Sequence, residues 1–398
     1  FGRLNLITES FQQCYLNNRE SVKYFKALLE NEGKDYSRYL FFYLLNLIEN
    51  EDFKTIKEIS SKINTLNSNL IVYQSKKWID GGKFSNFKEF FSCKNPKDLL
   101  SEFFFLVSNL YSSQELYSKS NFYMFVSNNL NKKFYFNNSL LAENYFQNKN
   151  YVKTNFFLDK LKNDDYAYHW FKIKKKAEII YNQKTMEQSI KYIESELSYY
   201  NDPDNKILFD TANIYKNFKK YEKSIKFYNK VLNNIENKNS SLYADVLYRR
   251  ASSFERIGNY EKSDKDLKHS LKILPDEPYV LNYLAYSWLE RNINIDEAIE
   301  MLIKAHNLKK DDPYITDSLG WAYFLIGNYE MAEKYLNLAI QIKPYDPVIM
   351  DHYADTLWML GRKIQAKYLW SNVLKIESVK ISDKEAIKEK LLRGPKKT

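Results

Sequence analysis

The sequence predicts an all-α fold, a solenoid made of helix-turn-helix repeats. The second half of the chain repeats one hydrophobic pattern with a period of about 34 residues. Only 9 Gly and 8 Pro occur in 398 residues, which leaves little material for tight β-hairpins or for the glycine-rich phosphate loops of nucleotide-binding folds. Hydrophobic residues make up 44% of the chain, enough for a substantial core.

The repeat is clearest in the two units that begin at Pro313 and Pro347. Small residues recur at positions 8, 20 and 27 of each unit, where paired helices approach closely, and bulky residues recur at positions 7, 11 and 24. Gly or Asn near position 15 ends the first helix. The pattern places a repeat array over 135–380, with units that begin near residues 135, 170, 205, 244, 278, 313 and 347.

This pattern resembles the tetratricopeptide repeat. The resemblance covers five units closely, from 205 to 380, and two earlier units more loosely. It implies helix-turn-helix units stacked into a right-handed superhelix. In the two C-terminal units, Asp312 and Asp346 each precede a proline and are predicted to cap the helices that follow.

Residues 381–398 are predicted to form a capping helix and tail. Ser382 and Glu385 have the spacing of a capping box, and Gly394 and Pro395 end the segment. Repeat arrays need such a helix because the last repeat otherwise exposes an apolar face.

Residues 1–134 are less regular. Apolar residues at three- and four-residue spacing predict amphipathic helices over 20–30, 36–49 and 99–111. We interpret this region as degenerate helical hairpins that continue the solenoid. A separate helical domain is the alternative.

The C-terminal half is also similar to the secreted or lipid-anchored tetratricopeptide proteins of alphaproteobacteria. The phrases that carry this similarity lie at 278–288, 317–321 and 351–355. The similarity implies a location in the bacterial envelope, either periplasmic or associated with the outer membrane, and it implies no established enzymatic activity. A cytoplasmic location is the alternative. The longest aromatic and aliphatic runs, 40–48 and 103–107, are far shorter than the roughly 18 residues that span a bilayer.

Composition and motifs argue against several functional classes. The chain has 60 Lys and Arg against 50 Asp and Glu, a net charge of +10, but the two signs alternate and form no basic patch, so nucleic acid is a disfavoured partner. No phosphate-loop, nucleophile-elbow or zinc-protease motif occurs, so we expect neither an enzyme nor a cofactor.

Cys14 and Cys93 cannot build a disulfide framework or a four-thiolate zinc site. His352, between Asp351 and Asp355, is a weak metal candidate, and a hydrogen-bonded helix residue is the stronger interpretation.

The strongest functional prediction is a groove. In tetratricopeptide repeats, positions 2, 5, 9 and 12 of each first helix face the concave side, and their spacing keeps them on one side of the helix. We call this surface the groove face. Its predicted partner-binding residues are aromatic, acidic or amide: Tyr248, Tyr279, Asn282, Tyr286, Tyr314, Asp317, Trp321, Phe324, Asp351, Asp355 and Trp358.

Two interpretations of these residues stay open. Aromatic side chains on a rigid surface are enriched in binding hot spots, which favours a protein or peptide partner that carries basic and apolar side chains. Alternatively, the aromatics pack between repeats, and Asp317 and Asp351 bond to nearby backbone or to Arg256 and Arg362. A carboxylate clamp is disfavoured because Asp317, Trp321, Asp351 and Asp355 stand where that subtype needs Lys and Asn.

The sequence therefore predicts a non-catalytic scaffold that binds a protein or peptide in its concave groove, with a role in envelope assembly. The competing prediction is a structural subunit of a larger complex, which would use its convex face or its N-terminal hairpins. A large exposed apolar patch outside the groove face would favour the second class.

Overall fold

The structure, a computed structural model, describes residues 4–16, 20–29 and 38–395. These residues form α-helices joined by short turns, with one 3-10 turn at Tyr135–Asn137 and no β-strand in the ranges given. Of the helices in these ranges, none combines the length and the apolar character that crossing a membrane requires. The chain divides into two compact units, residues 1–211 and 212–398.

The helices of the first unit pack mainly on their neighbours in sequence. They are α1 Leu4–Tyr15, α2 Ser21–Leu29, α3 Tyr39–Glu49, α4 Phe53–Lys62, α5 Leu70–Asp80, α6 Ser85–Phe90, α7 Pro96–Ser113, α8 Tyr117–Leu130, α9 Asn138–Gln147, α10 Tyr151–Leu158, α11 Tyr166–Gln183 and α12 Met186–Leu197. The boundary between the units falls inside α13, Asn205–Asn217.

The second unit is a run of helical hairpins in which the first helix of each repeat packs on its second helix, and the second helix packs on the first helix of the next repeat. Its helices are α14 Tyr221–Asn234, α15 Ser241–Arg256, α16 Tyr260–Ile273, α17 Pro278–Glu290, α18 Ile295–Leu308, α19 Pro313–Leu325, α20 Tyr329–Ile342, α21 Pro347–Met359, α22 Lys363–Lys375 and α23 Ile381–Arg393.

In most of the repeat units, the turn inside the hairpin uses a left-handed residue at repeat position 15. Gly258, Gly327 and Gly361 have φ values of 76°, 78° and 80° there, a conformation that glycine adopts at little cost. Lys149 and Lys219, each with φ of 56°, occupy the same position in earlier units. The turn geometry is therefore kept even where the sequence supplies no glycine.

Small residues lie where the helices of a pair meet. Ala332 and Ala339 are fully buried, as the sequence predicts. At Gly320, an added Cβ would lie 2.6 Å from the Cγ of Leu336 on the partner helix, so only glycine allows this approach.

The predicted caps are confirmed at two helices and wrong at a third. Asp312 accepts hydrogen bonds from the backbone N–H groups of Tyr314 and Ile315, and Asp346 caps α21 in the same way. The capping box at Ser382 is absent, because α23 already begins at Ile381 and its N-cap, Lys380, makes no side-chain cap. Ser382 instead donates to Asp383.

The C-terminal helix α23 covers the end of the array. Ile387 is buried in a cluster that includes Met350, Leu357 and Trp370. Gly394 is the C-cap of α23, as the sequence predicts. The apolar face of the last repeat is thus removed from water.

The first unit has a core rich in aromatic side chains. Phe41, Phe42 and Phe87 are fully buried, and their rings meet each other or other phenylalanines in edge-on and stacked contacts. Cys14 on α1 and Cys93, after α6, form a disulfide across 79 positions of sequence. The two cysteines therefore build one cross-link, although they are too few for a framework.

Candidate functional site

The groove face of the second unit is carried by the first helices α15, α17, α19 and α21. The structure places its predicted residues in three environments. Tyr279 and Tyr314 are exposed, Tyr248, Asn282, Tyr286, Trp321, Asp351 and Trp358 are half-buried, and Asp317, Phe324 and Asp355 are buried. Part of the groove face is therefore buried inside the second unit, and part of it is exposed to solvent.

The two exposed tyrosines tie neighbouring repeats together. The Tyr279 hydroxyl donates to the Asp312 carboxylate at 3.1 Å and receives a hydrogen bond from Lys309. Tyr314 repeats this arrangement with Asp346, at 3.3 Å, and with Lys343. Each lysine also lies over the ring of its tyrosine, with the ammonium 4.2 Å and 4.5 Å from the centroid. We call these two arrangements the tyrosine links.

Tyr248 and Asn282 lie among the residues that join α15 to α17. The ring of Tyr248 meets Tyr283 edge-on, with centroids 5.7 Å apart. The Tyr283 hydroxyl donates to Glu255. The side-chain oxygen of Asn282 is buried and has no hydrogen-bond donor among the described residues.

The centre of the groove face is a stack of rings on α19 and α21. Trp321 lies between Phe324 and His352, with centroid distances of 4.6 Å and 4.1 Å and nearly parallel planes. The Nδ1–H of His352 donates to Asp317, at 3.0 Å from Oδ2. Burial lowers the pKa of His352, but the charge and the hydrogen bond of Asp317 outweigh it and raise the pKa above its ordinary value.

An exposed carboxylate lies beside this stack. Glu290, at the end of α17, accepts the indole N–H of Trp321 at 3.4 Å. Tyr286 also bonds to Glu290, and burial raises the pKa of its hydroxyl. One solvent-facing acid and one half-buried indole are therefore held together on adjacent repeats.

Asp351 and Asp355 belong to a second cluster, at the end of the array. The ammonium of Lys390 on α23 lies 2.8 Å from a carboxylate oxygen of each. The indole N–H of Trp370 also donates to Asp351, at 2.9 Å. Burial and the neighbouring Asp351 raise the pKa of Asp355 to about 6, although Lys390 acts in the opposite direction.

Trp358 completes this end of the groove face. Its ring lies 5.6 Å from that of Trp370, and the ammonium of Lys363 lies 5.1 Å from its centroid. An added Cβ at Gly394 would meet the Trp358 indole, so the C-cap of α23 lies directly against it. Part of the Trp358 surface is therefore covered by the chain itself.

The aspartates find partners other than the two arginines considered from sequence. Asp317 bonds to His352, and Asp351 bonds to Trp370 and Lys390. Arg362 pairs with Glu333 instead. The described residues contain no group of three or more His, Cys, Asp or Glu side chains arranged for a metal ion.

Sequence reasoning missed Glu290, Lys390 and the bridging role of His352. A signal for His352 exists, because it stands at position 6 of its unit, as Tyr283 does, and both side chains contact the preceding first helix. Glu290 follows position 12, at the end of its helix, and Lys390 lies in the capping helix. Neither position belongs to the groove pattern.

The chain belongs to the tetratricopeptide repeat family. A family model described as tetratricopeptide repeat matches residues 172–378, just over half of the chain. Repeats of this family mediate protein–protein interactions and serve as scaffolds.

Two known proteins show the extent of the similarity. Over 100 residues, the chain is 37% identical to the TPR repeat-containing protein PA4667 of Pseudomonas aeruginosa, a match that covers 25% of this chain and 17% of that protein. The crystal structure of a tetratricopeptide repeat protein from Parabacteroides merdae aligns with a TM-score of 0.50 and 18% identity, over 65% of this chain and 97% of that one. The structural match supports the all-α helical repeat fold alone.

Proposed function

We propose that the protein is a non-catalytic scaffold that binds an extended segment of a partner protein on its groove face. The observation that carries this proposal is the Trp321 stack with Glu290 beside it. The indole is fixed between two rings before any partner arrives, so little side-chain entropy is lost on binding. The residues that contact the partner are Tyr286, Glu290 and Trp321, with Tyr279 and Tyr314 at the rim.

The chemistry of this surface favours a partner with a basic and an apolar side chain. Glu290 is exposed, and a Lys or Arg beside it gains a charge-assisted hydrogen bond, while the half-buried indole offers contact to an apolar group. Asp317 and Asp355 contribute less to this recognition than the sequence predicts, since both are buried and bonded within the chain. Such binding weakens with salt because exposed charges are screened.

The test uses a charge reversal with a matched control. Glu290→Lys removes the acid beside Trp321, whereas Glu297→Lys makes the same change on an exposed position of the second helix α18. Each immobilised variant is incubated with an extract of native membranes, and the proteins that it retains are identified by mass spectrometry. The affinity of the purified partner for each variant is then measured at two salt concentrations. We expect Glu290→Lys to abolish binding and Glu297→Lys to leave it unchanged. Equal retention by both variants would remove the groove face from consideration.

We also propose an envelope location. The Cys14–Cys93 disulfide supports it, since such bonds persist in oxidising compartments and are rare in the cytoplasm. In intact cells, a thiol-reactive mass tag should label neither cysteine until a reductant is added. Two free thiols in the native protein would favour the cytoplasmic alternative.

A second candidate function is that of a subunit in a larger assembly. One face of α7 exposes Leu100, Phe103 and Leu110, which are 50%, 43% and 59% accessible. Contiguous apolar surface of this kind is typical of interaction sites. If the first unit is such a subunit, Phe103→Ser with Leu110→Ser releases the protein from its native complex, as followed by size-exclusion chromatography of cell extracts. An unchanged elution volume would exclude this function for α7.

A further inference from the structure

Two second helices of the first unit, α8 and α10, expose apolar side chains. Phe122 and Phe125 on α8 are 62% and 41% accessible, and Val152 and Phe156 on α10 are 83% and 58% accessible. The first pair is three residues apart and the second pair four, so each pair shares one side of its helix. These helices belong to the hairpins α7–α8 and α9–α10, away from the first helices that carry the groove face.

A cavity of about 320 Å³ lies between the two apolar pairs. Phe125 of α8 and Phe156 of α10 both line it, so the pairs lie side by side. Lys132, Lys160 and Asn129 also line it. We call the two apolar pairs, this cavity and its two lysines the α8–α10 surface.

The two lysines of the α8–α10 surface carry charge that no neighbour neutralises. Both are exposed, and neither forms an ion pair with a residue in the described ranges. The ammonium of Lys160 lies 4.7 Å from the ring centroid of Phe156. A cation and an exposed apolar ring are therefore in contact at the mouth of the cavity, with Lys132 on the same wall.

The stretch of chain that forms this surface is basic. Charges alternate in sign along the chain as a whole, but residues 116–165 contain seven lysines and four acids. Glu143 and Asp159 are already paired with lysines of α11. Asp165 is buried and accepts a hydrogen bond from the Tyr135 hydroxyl. The acids of this stretch therefore do little to compensate the lysines of the α8–α10 surface.

Exposed apolar side chains beside unpaired lysines match the chemistry of an anionic membrane surface. Phenylalanine and aliphatic side chains enter the boundary between headgroups and acyl chains, and lysines are attracted to anionic headgroups. Nucleic acid also attracts lysines, and its bases stack on aromatic rings. Val152, the most exposed of the four apolar residues, offers no ring for a base to stack on. The combination therefore favours lipid.

We propose that the α8–α10 surface binds the surface of an anionic phospholipid bilayer. A headgroup phosphate lies in the cavity between Lys132 and Lys160, and the amide of Asn129 hydrogen-bonds the headgroup. The four apolar side chains enter the outer part of the acyl region, so α8 and α10 lie on the bilayer. This site belongs to the first unit and does not depend on the function proposed for the groove face.

The experiment measures co-sedimentation of the full chain with lipid vesicles. One set contains phosphatidylcholine alone, and the other contains phosphatidylcholine mixed with phosphatidylglycerol. We expect binding to the anionic vesicles to be at least about tenfold stronger and to weaken as salt is added. Two competitors are added to the anionic vesicles: glycerophosphoglycerol, which has the headgroup phosphate without acyl chains, and oligothymidine. Neither should displace the protein at an equal concentration of phosphate.

A first pair of variants tests the lysines. Lys132→Gln with Lys160→Gln should bind anionic vesicles at least about tenfold more weakly, because both charges nearest the headgroup are lost. Lys265→Gln with Lys272→Gln removes the same charge from exposed positions of α16 and should bind normally. All four lysines are exposed, so both variants should keep the melting temperature of the parent protein.

A second pair of variants tests the apolar contact. Val152→Ser with Phe156→Ser should also lower binding at least about tenfold, because these side chains no longer enter the bilayer. Ile364→Ser with Tyr368→Ser makes the same kind of change at two positions of α22 that are 87% and 67% accessible, with the same four-residue spacing, and should bind normally.

Several results would overturn the proposal. They are no binding to anionic vesicles, equal binding to the two vesicle compositions, and equal losses in a variant and its matched control. Displacement by oligothymidine would reassign the surface to nucleic acid. Displacement by glycerophosphoglycerol would reassign the cavity to a soluble phosphate compound.

Discussion

The Nδ1 of His352 lies 3.0 Å from the Oδ2 of Asp317, which belongs to the first helix of the preceding repeat. Both side chains are buried, with accessibilities of 9% and 5%. The pair joins α19 to α21 underneath the indole of Trp321. The orientation of the proposed binding surface therefore depends on this buried pair.

This pair gives stability a pH dependence of known sign. Because the folded pKa of His352 is raised, its protonation stabilises the folded state fully below the unfolded pKa of about 6.5, and this contribution is lost as the pH rises through the folded pKa. His352→Gln should therefore cost more stability at pH 6 than at pH 8.5. Urea unfolding of both proteins at the two pH values measures this difference. An equal cost at both pH values would mean that the imidazole is neutral when folded.

Removal of the Lys390 ammonium should destabilise the C-terminal end of the array. Lys390→Met leaves Asp351 without its cation and Asp355 buried without one. We expect the free energy of unfolding to fall by about 2–4 kcal/mol. This is below the upper end of the range for buried ion pairs, because the lysine side chain is 22% exposed. Lys388→Met, an exposed position on the same helix, is the control and should change stability by less than about 0.5 kcal/mol. Chemical unfolding of both variants tests this, and similar losses would contradict it.

Lys219 should be a site where glycine stabilises the protein. It has φ of 56°, and a left-handed conformation costs a residue with a Cβ about 1–2 kcal/mol. Glycine loses more conformational entropy on folding, which offsets part of the relieved strain. We therefore expect Lys219→Gly to raise the free energy of unfolding by about 0.5–1 kcal/mol. Lys220→Gly is the control, because Lys220 has φ of −92° and glycine relieves no backbone strain there. A lower melting temperature for Lys219→Gly than for the parent protein would refute the assignment of strain.

The helix contact at Ala339 should tolerate no larger side chain. Ala339 is fully buried between paired helices, so Ala339→Leu forces neighbours apart and should cost about 1–3 kcal/mol. Asn337→Leu places the same side chain on the exposed side of α20 and should be nearly neutral. Thermal unfolding compares the two variants. An unchanged melting temperature for Ala339→Leu would show that the helices can separate to accept a larger side chain at little cost.

The repeat register was predictable because it depends on local, periodic constraints. A small residue at position 20 or 27 is needed where two helices approach, and Ala332 and Ala339 are buried as that constraint requires. The caps at Asp312 and Asp346 were predictable for the same reason, since an N-cap carboxylate and the backbone N–H groups that donate to it lie within three residues.

The partners of the groove aspartates were not predictable from spacing alone. Asp317 and Asp355 occupy positions that face the concave side, yet His352 and Lys390 reach them from neighbouring helices. The Cys14–Cys93 bond was hidden for a similar reason, because it joins residues separated by 79 positions of an irregular region. These contacts depend on how helices stack, which the period of the repeat does not encode.

The tyrosine links bear on how the array responds to bending. Tyr279 and Tyr314 brace two consecutive repeat boundaries, so opening either boundary must break a hydroxyl–carboxylate bond and separate a lysine from its ring. The units on either side have Asp245 and Val348 at the same position and lack this brace. The two boundaries of the repeat that carries Trp321 therefore resist separation through the same pair of contacts.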